Sequence, residues 1–379
     1  MKTNIFSFDP KKDKGTPKEA LENFIREKNI SLEDISLSLV FGSVSILSES
    51  LVKDIYKILG ENPLIGCSSG GEIYNTTLEQ SLVITMLSEL GEVKTYSAIC
   101  SDGESYKSSV KLGEEAKAFG ECSLGLVFGD GMIAESEDVL RGLQKSLGKS
   151  TKLFGGFAGD DGKFVETYQI VNGDFFKKSI VLALVKTPLE IGVAWGHGFQ
   201  PLGLGREVTQ IKDGEILSID NKSTLDFYRD YLDEEQVQQM PLLGHQYPLG
   251  VSNKQGKDIL IRAIFDANQK SGSCIIRGSK CKIGDKAHVM LGQKKKVIKS
   301  AVQAAENAKS QVRSPKVAII IDCFGRKMIF KKAAEEEIHE IKKVFGNIPL
   351  VGLYSYGEIS PVSGESEYHN MTANILVLG

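Results

Sequence analysis

The sequence predicts an α/β protein of two similar lobes, with mixed sheets built from repeated β-α-β units and flanking antiparallel strands. Three observations carry this. A short apolar run that stops at glycine recurs along the chain: residues 63–73 read Pro-Leu-Ile-Gly-Cys-Ser-Ser-Gly-Gly-Glu-Ile, residues 349–359 read Pro-Leu-Val-Gly-Leu-Tyr-Ser-Tyr-Gly-Glu-Ile, and residues 152–161 give a looser copy, Lys-Leu-Phe-Gly-Gly-Phe-Ala-Gly-Asp-Asp. Each copy follows an apolar strand and a stretch with helical spacing. Between the copies, hydrophobicity alternates with period two, the mark of strands.

In the first unit, residues 37–42 (Leu-Ser-Leu-Val-Phe-Gly) form a strand, and Leu51, Ile55, Ile58 and Leu59 then recur at helical spacing before the strand ending at Gly66. The second unit runs from 124–129 through Val139, Leu140, Leu143 and Leu147 to Gly155, and the third from 317–325 through Ile338, Ile341, Val344 and Phe345 to Gly352. Glycine 42 to 66, 129 to 155 and 325 to 352 are separations of 24, 26 and 27 residues, the length of a crossover joining parallel strands. Pro-Leu-Leu-Gly at 241–244, after a helical stretch at 223–239, reads as a worn fourth copy that would give each lobe two units. Strands are expected at 81–87, 93–99, 165–171, 179–185, 190–195, 258–266, 287–291 and 372–378, with a hairpin turn at Asn172-Gly173-Asp174 and helices at 108–119 and 294–311. The expected organisation is an N-terminal extension (1–29), a first lobe (30–210) and a second lobe (211–379), the boundary falling in the polar stretch near 205–222.

Composition narrows the function. With 41% hydrophobic and 25% charged residues and a net charge of −3, the 379-residue chain is ordinary for a soluble globular protein and has no electrostatic case for nucleic acid. No apolar stretch reaches membrane-spanning length, and the charged N-terminus lacks the apolar region of a secretory signal, so a cytoplasmic protein with no membrane partner is expected. The six cysteines are scattered without a Cys-x-x-Cys pair, which argues against a disulfide framework or a zinc knuckle.

The strand-end loops are the candidate binding site, because ligands of parallel sheets bind beyond the carboxyl ends of the strands. Gly66, Ser68, Ser69 and Glu72 come from the first copy; Asp160 and Asp161 hold the comparable place in the second; Tyr354, Ser355, Tyr356 and Glu358 come from the third. Cys323-Phe324-Gly325-Arg326 ends the strand before the third helix. Its cysteine and arginine suit an activated nucleophile or, more simply, a buried thiol and an arginine that salt-bridges or pairs with an acidic ligand. His197, held between two glycines, is sterically free to meet a ligand; His245 lies in the fourth loop and His369 near the last strand. No spacing of histidine or cysteine supports a metal site. Residues 142–150 imitate a P-loop, with one residue too many between the glycines, and read as a helix stop followed by a turn.

The chain resembles the FIST family of sensory proteins, which pair an N-terminal and a C-terminal FIST domain. The residues that carry the resemblance are Phe154-Gly155-Gly156 with Asp160-Asp161, Gly196-His197-Gly198 with Pro201-Leu202-Gly203, and Tyr247-Pro248-Leu249-Gly250 with Arg262. Cys323-Phe324-Gly325-Arg326, Tyr354-Ser355-Tyr356-Gly357-Glu358-Ile359 and His369-Asn370-Met371-Thr372 complete the set, in the family's order over about residues 30–379. The resemblance implies a small-molecule sensory input domain. Amino acids have been proposed as ligands for the family, and some members bind haem and sense nitric oxide. No output module is expected once the two lobes are assigned, so a separate signalling partner would receive the signal. The expectation is therefore a sensor rather than an enzyme, without a resident cofactor. Arg326 would meet a carboxylate or other anion and Glu358 an amine, which suits a zwitterion. The alternatives are a haem sensor using His197, His245 or His369 as axial ligand, and an enzyme using Cys323 as nucleophile.

Overall fold

The computed structural model describes residues 1–379 apart from 134, 213, 253–258, 279–280 and 363. All three β-α-β units form. In the first, Ile35–Gly42 and Leu64–Ser68 run parallel around the helix Glu49–Ile58. In the second, Leu124–Gly129 and Lys152–Phe157 flank Ser136–Leu147. In the third, Val317–Cys323 and Leu350–Ser355 flank two helices, Phe324–Phe330 and Lys332–Phe345. Two of these helix ends are closed by groups the sequence supplies for free backbone ends. The Ser48 side chain accepts from Leu51 N–H at 3.2 Å. Gly148, the glycine of the false P-loop, closes the second helix at φ +79 and donates its N–H to the Gln144 carbonyl.

The three sheets share one strand order. Each parallel pair is extended on one side by an antiparallel strand (Leu82–Ser88, Ser179–Lys186 or Ala373–Leu378) and then by Lys2–Phe8, Glu92–Ile99 or Ile191–Gly196. Residues 1–29 thus contribute the outer strand of the first sheet and the helix Pro17–Glu27. On the other side, each sheet receives a hairpin exported by a different unit. The hairpin Gln169–Val171/Asp174–Phe176 joins the first sheet, Glu358–Val362/Glu365–His369 the second, and Glu72–Tyr74/Thr77–Leu78 the third. The first of these turns at Asn172-Gly173, both at positive φ, as expected for a two-residue hairpin.

The recurring glycines sit at the point where three strands cross in register. Gly66 pairs with Val40 and Ile170, Gly155 with Val127 and Ile359, and Gly352 with Ile320 and Ile73. A Cβ on these glycines would lie only 1.8, 1.9 and 1.8 Å from the carbonyl oxygens of Val40, Val127 and Ile320, so no side chain fits. The inner faces of the sheets meet in one core: Leu39, Phe41 and Ile65 from the first, Leu126, Phe128 and Phe154 from the second, Ile319, Ile321 and Val351 from the third. The outer faces are covered by helices, and burial on both faces explains the near-continuous apolar strands.

The remaining segment, 199–292, builds a nine-stranded antiparallel sheet. The fourth copy is not a β-α-β unit. Leu242–His245 is a short 3-10 helix, and Leu249–Ser252 pairs antiparallel with Leu260–Arg262 and Lys286–Gly292. The preceding strand, Glu215–Ile219, already pairs along both edges and offers none to a parallel partner. The strand expected at 258–266 appears as Leu260–Arg262 and Ile264–Asn268; residue 258 lies outside the described residues. The strand expected at 165–171 forms only at Gln169–Val171, because the N–H groups of Phe164, Val165 and Glu166 are taken by the Asp160 carboxylate.

Gly352→Ala is expected to cost at least about 4 kcal/mol in chemical denaturation, since backbone must move to admit the methyl group. Gly148→Ala, at positive φ but in open space, is the comparison and costs less, about 1–3 kcal/mol from backbone strain alone.

Candidate functional site

The strand-end loops lock one another around an approximate threefold axis. Gly70 N–H donates to the Tyr354 carbonyl (2.8 Å), Tyr356 N–H to Phe157 (2.9 Å) and Gly159 N–H to Ser68 (3.0 Å). A second cycle runs through the same loops: Tyr354 N–H to Gly71 (2.8 Å), Phe157 N–H to Gly357 (2.8 Å) and Ser68 N–H to Tyr168 (2.9 Å). The predicted loops therefore do converge, but most of their polar side chains point into the structure rather than toward a ligand.

Glu358 is fully buried. Its carboxyl accepts from the Ser355 hydroxyl (3.0 Å), the Thr372 hydroxyl (2.9 Å) and Thr372 N–H (3.3 Å). Glu72 is bound in the same way by the Ser69 hydroxyl and by Ser81 through its N–H (2.9 Å) and hydroxyl (2.6 Å). In the second unit the corresponding residue is Gln169, whose Oε1 accepts from Ser179 N–H (3.1 Å) and hydroxyl (3.0 Å). Each is a latch that fixes the start of the adjoining antiparallel strand, at its first residue (Ser179) or the residue just before it (Ser81, Thr372). The expected ligand roles of Glu72 and Glu358 are thereby corrected, and so is the equivalence of Asp160 and Asp161 to them. Burial raises Glu72 to about 7 and Glu358 to about 8, against the opposing hydrogen bonds.

Arg326 is also internal. Its guanidinium lies 2.5 Å from Glu337 and 3.1 Å from Asp322, and donates to the His197 carbonyl (2.9 Å) and the Met371 carbonyl (3.2 Å). The contact with Asp322 is a close approach rather than an aligned hydrogen bond, and burial together with the neighbouring Glu337 pushes the Asp322 carboxyl well above its ordinary range. Arg326 thus meets Glu337, Asp322 and two backbone carbonyls inside the fold and does not line an open pocket as an anion receptor would. Burial drives the Cys323 thiol well above its ordinary range, the reverse of an activated nucleophile. His197 accepts from Phe199 N–H through Nδ1 and faces the Ile259 carbonyl; burial and the neighbouring Arg326 lower it to about 4. It borders a separate shallow cleft with Trp195, against which His369 packs at 4.6 Å. Tyr354 is buried, with its hydroxyl 3.0 Å from that of Thr77, and Ser68 bridges the Gly159 carbonyl and Tyr168 N–H. Asp161 accepts from the Ser43 hydroxyl at 2.8 Å.

What the loops do leave open is a cavity of about 360 Å³ beside the third unit. Cys323, Phe324, Gly325 and Met328 form one wall and Tyr356 with Phe164 another. The antiparallel segment closes it with Pro241, Leu242, His245, Ala263–Phe265 and Arg277, and Met132, Asn370 and Met371 complete it. Phe164 stacks on Tyr356 at 4.7 Å, held there by the Asp160 carboxylate, which takes three backbone N–H groups and the Tyr356 hydroxyl. Arg277 lies over the Phe265 ring at 4.3 Å and donates to the Gly131 and Ile133 carbonyls. Of the sequence-predicted ligand residues, Cys323 and Tyr356 reach this cavity; of the three candidate histidines, His245 does. Arg277, Phe164 and Met132 were missed because nothing local marks them. Asn370 and Met371 lie in a motif that the sequence did display. Among the described residues, no group of three or more histidine, cysteine, aspartate and glutamate side chains is placed to hold a metal ion.

The raised carboxyls set a pH dependence. Their folded pKa values lie above the unfolded ones, so the folded state binds more protons and loses stability as pH rises from about 4.5 through 7 to 8. The melting temperature is expected to fall by several degrees between pH 5.5 and 8.5. Glu358→Gln, which copies Gln169, should stay folded and flatten that fall. An unchanged slope in the variant would show that Glu358 is not the titrating group.

Comparison with known proteins agrees with this architecture. An uncharacterized protein of Methanocaldococcus jannaschii is 23% identical over 344 residues, covering 83% of this chain and 65% of that protein. An uncharacterized protein of Mycobacterium tuberculosis is 28% identical over 119 residues, 31% of each chain. This chain thus spans less than two thirds of either relative. Among solved structures, a cyanuric acid hydrolase from A. caulinodans aligns over 100% of this chain and 99% of its own at a TM-score of 0.37 and 8% identity, too weak a likeness to carry an argument. No helix among the described residues is long and apolar enough to cross a membrane. The FIST N domain matches residues 36–222 and the FIST C domain residues 224–361, domains generally regarded as small-ligand-sensing modules of signal transduction, and the chain belongs to the FIST family.

Proposed function

We propose that the protein is a small-molecule-binding sensory input protein, that its ligand occupies the cavity beside the third unit, and that it passes its signal to a separate partner. The observation that carries this reading is the origin of the walls. Met132 and Phe164 belong to the FIST N domain, whereas His245, Arg277 and Phe324 belong to the FIST C domain. A ligand that touches both biases their arrangement, which is what a sensor requires.

The lining selects the ligand's chemistry. It is largely aromatic and aliphatic, with Arg277 as its cationic group and no carboxylate among the described lining residues. A free amino acid would find a partner for its carboxylate but no carboxylate for its ammonium group, and burying an unpaired charge is costly. A compact apolar molecule bearing one anionic or acceptor group fits better. Thermal-shift screening of aromatic and branched-chain carboxylates should give hits whose affinity falls at least about tenfold in Arg277→Ala, in line with the loss of a charged hydrogen bond. Hits indifferent to that substitution would move the site elsewhere.

A second reading, a haem held by His245, is favoured by that residue alone among the three candidates lining the cavity. Burial lowers its pKa, so the imidazole is neutral and competent as a ligand. The apolar walls suit a macrocycle, and Arg277 a propionate. This reading requires a Soret band in protein supplied with haem and its loss in His245→Ala.

A further inference from the structure

Three soft donor side chains meet in the cavity wall. Cys323 Sγ and Met371 Sδ lie 3.9 Å apart. A Cβ placed on Gly325 would sit 2.6 Å from Met371 Sδ, 3.4 Å from Cys323 Sγ and 3.4 Å from His245 Cδ2. A thiol, a thioether and the edge of an imidazole therefore lie around Gly325, which carries no side chain to separate them. His245 Nδ1 is buried and makes no aligned hydrogen bond; the nearby Leu242 carbonyl is poorly oriented for one. A half-turn of the ring exchanges Nδ1 with Cδ2, turns the nitrogen toward Gly325, beside which both sulfurs lie, and breaks no aligned hydrogen bond.

We propose that Cys323, Met371 and His245 form a binding site for monovalent copper within the ligand cavity. Thiolate and thioether donors select Cu(I), and a thioether is of little use to harder ions. Two sulfurs bound to one ion at about 2.3 Å subtend about 116° when 3.9 Å apart, close to trigonal geometry. Charge points the same way. Cu(I) with one thiolate and a neutral imidazole is uncharged, as apolar walls demand, whereas a divalent ion would leave a net positive charge with no carboxylate among the described lining residues to balance it. Binding forms a copper–sulfur bond as the Cys323 S–H bond breaks. The proton passes to solvent and no electron is transferred.

The test is an anaerobic competition between the full-length reduced protein and a Cu(I)–bicinchoninate complex. It should show one Cu(I) withdrawn per chain, with affinity rising about tenfold per pH unit between pH 6 and 8 as one proton is released. Cys323→Ser and Met371→Leu should each lower affinity at least tenfold; the second conserves volume and serves if the first fails to fold. Cys281→Ser, at the less buried thiol, should change nothing. Absence of uptake, uptake unaffected by both Cys323→Ser and Met371→Leu, or equal competition by Zn(II) would overturn the proposal. Arg277 is not a donor here, so failure of the copper site leaves the test of the small-molecule reading intact, and the reverse.

Discussion

Six backbone hydrogen bonds running in two cycles around the approximate threefold axis hold the strand-end loops, and each loop depends on the next for its position. The cycle is closed, because every sheet takes its last hairpin from another unit. No unit therefore completes its own sheet. The exported hairpin covers an edge that would otherwise be left unpaired, and exposed edges invite association with other chains. The glycines Gly66, Gly155 and Gly352 are required at the crossing because the facing carbonyls leave no room for a Cβ. The same requirement explains why an apolar run ending in glycine was the most visible signal in the chain.

Within this near-symmetric frame the three strand ends have diverged. Ser43, Asp130 and Cys323 each follow directly on corresponding strand positions. Ser43 donates to Asp161, and Asp130 takes the Met132 and Lys178 N–H groups and the Thr167 hydroxyl, so both of those strand ends are closed by internal polar bonds. Cys323 instead contacts Met371 and leads at once into a helix. The third position stays apolar and open, and the antiparallel segment 199–292 lies against it. A cavity forms at one of three related places because one of the three was not filled with hydrogen bonds.

The buried charges serve the frame. Arg326 ties the strand ending at Cys323 to the helix Lys332–Phe345 through Glu337, and to the strand ending at Gly196 and the last strand through the carbonyls of His197 and Met371. Removing one partner from such a group leaves uncompensated charge in a low-dielectric interior, which costs more than the pair itself contributes. Asp160 does comparable work with a single carboxylate, arranging the loop that carries Phe164 over the cavity. The floor of the cavity is thus stiff, while exposed apolar side chains, Phe164, Leu242 and Phe265, stand at its rim.

By itself the sequence determined the three β-α-β units, the parallel pairing inside each, most flanking strands and the helix stop at Gly148, because period and glycine act over a few residues. It also named the strand-end loops as the candidate site. Only the tertiary structure decided which side chains face the cavity and which turn inward. Glu358 after a strand-end glycine reads as an offered carboxylate, yet its donor Thr372 arrives from the last strand and turns it inward. Arg326 reads as an anion receptor, yet Glu337, a helix away, already holds it. The cavity is assembled from residues as far apart as Met132, Arg277 and Met371, and no local pattern marks such a set. The conformation of a loop is written nearby in the chain; the solvation of its side chains depends on whatever packs against it.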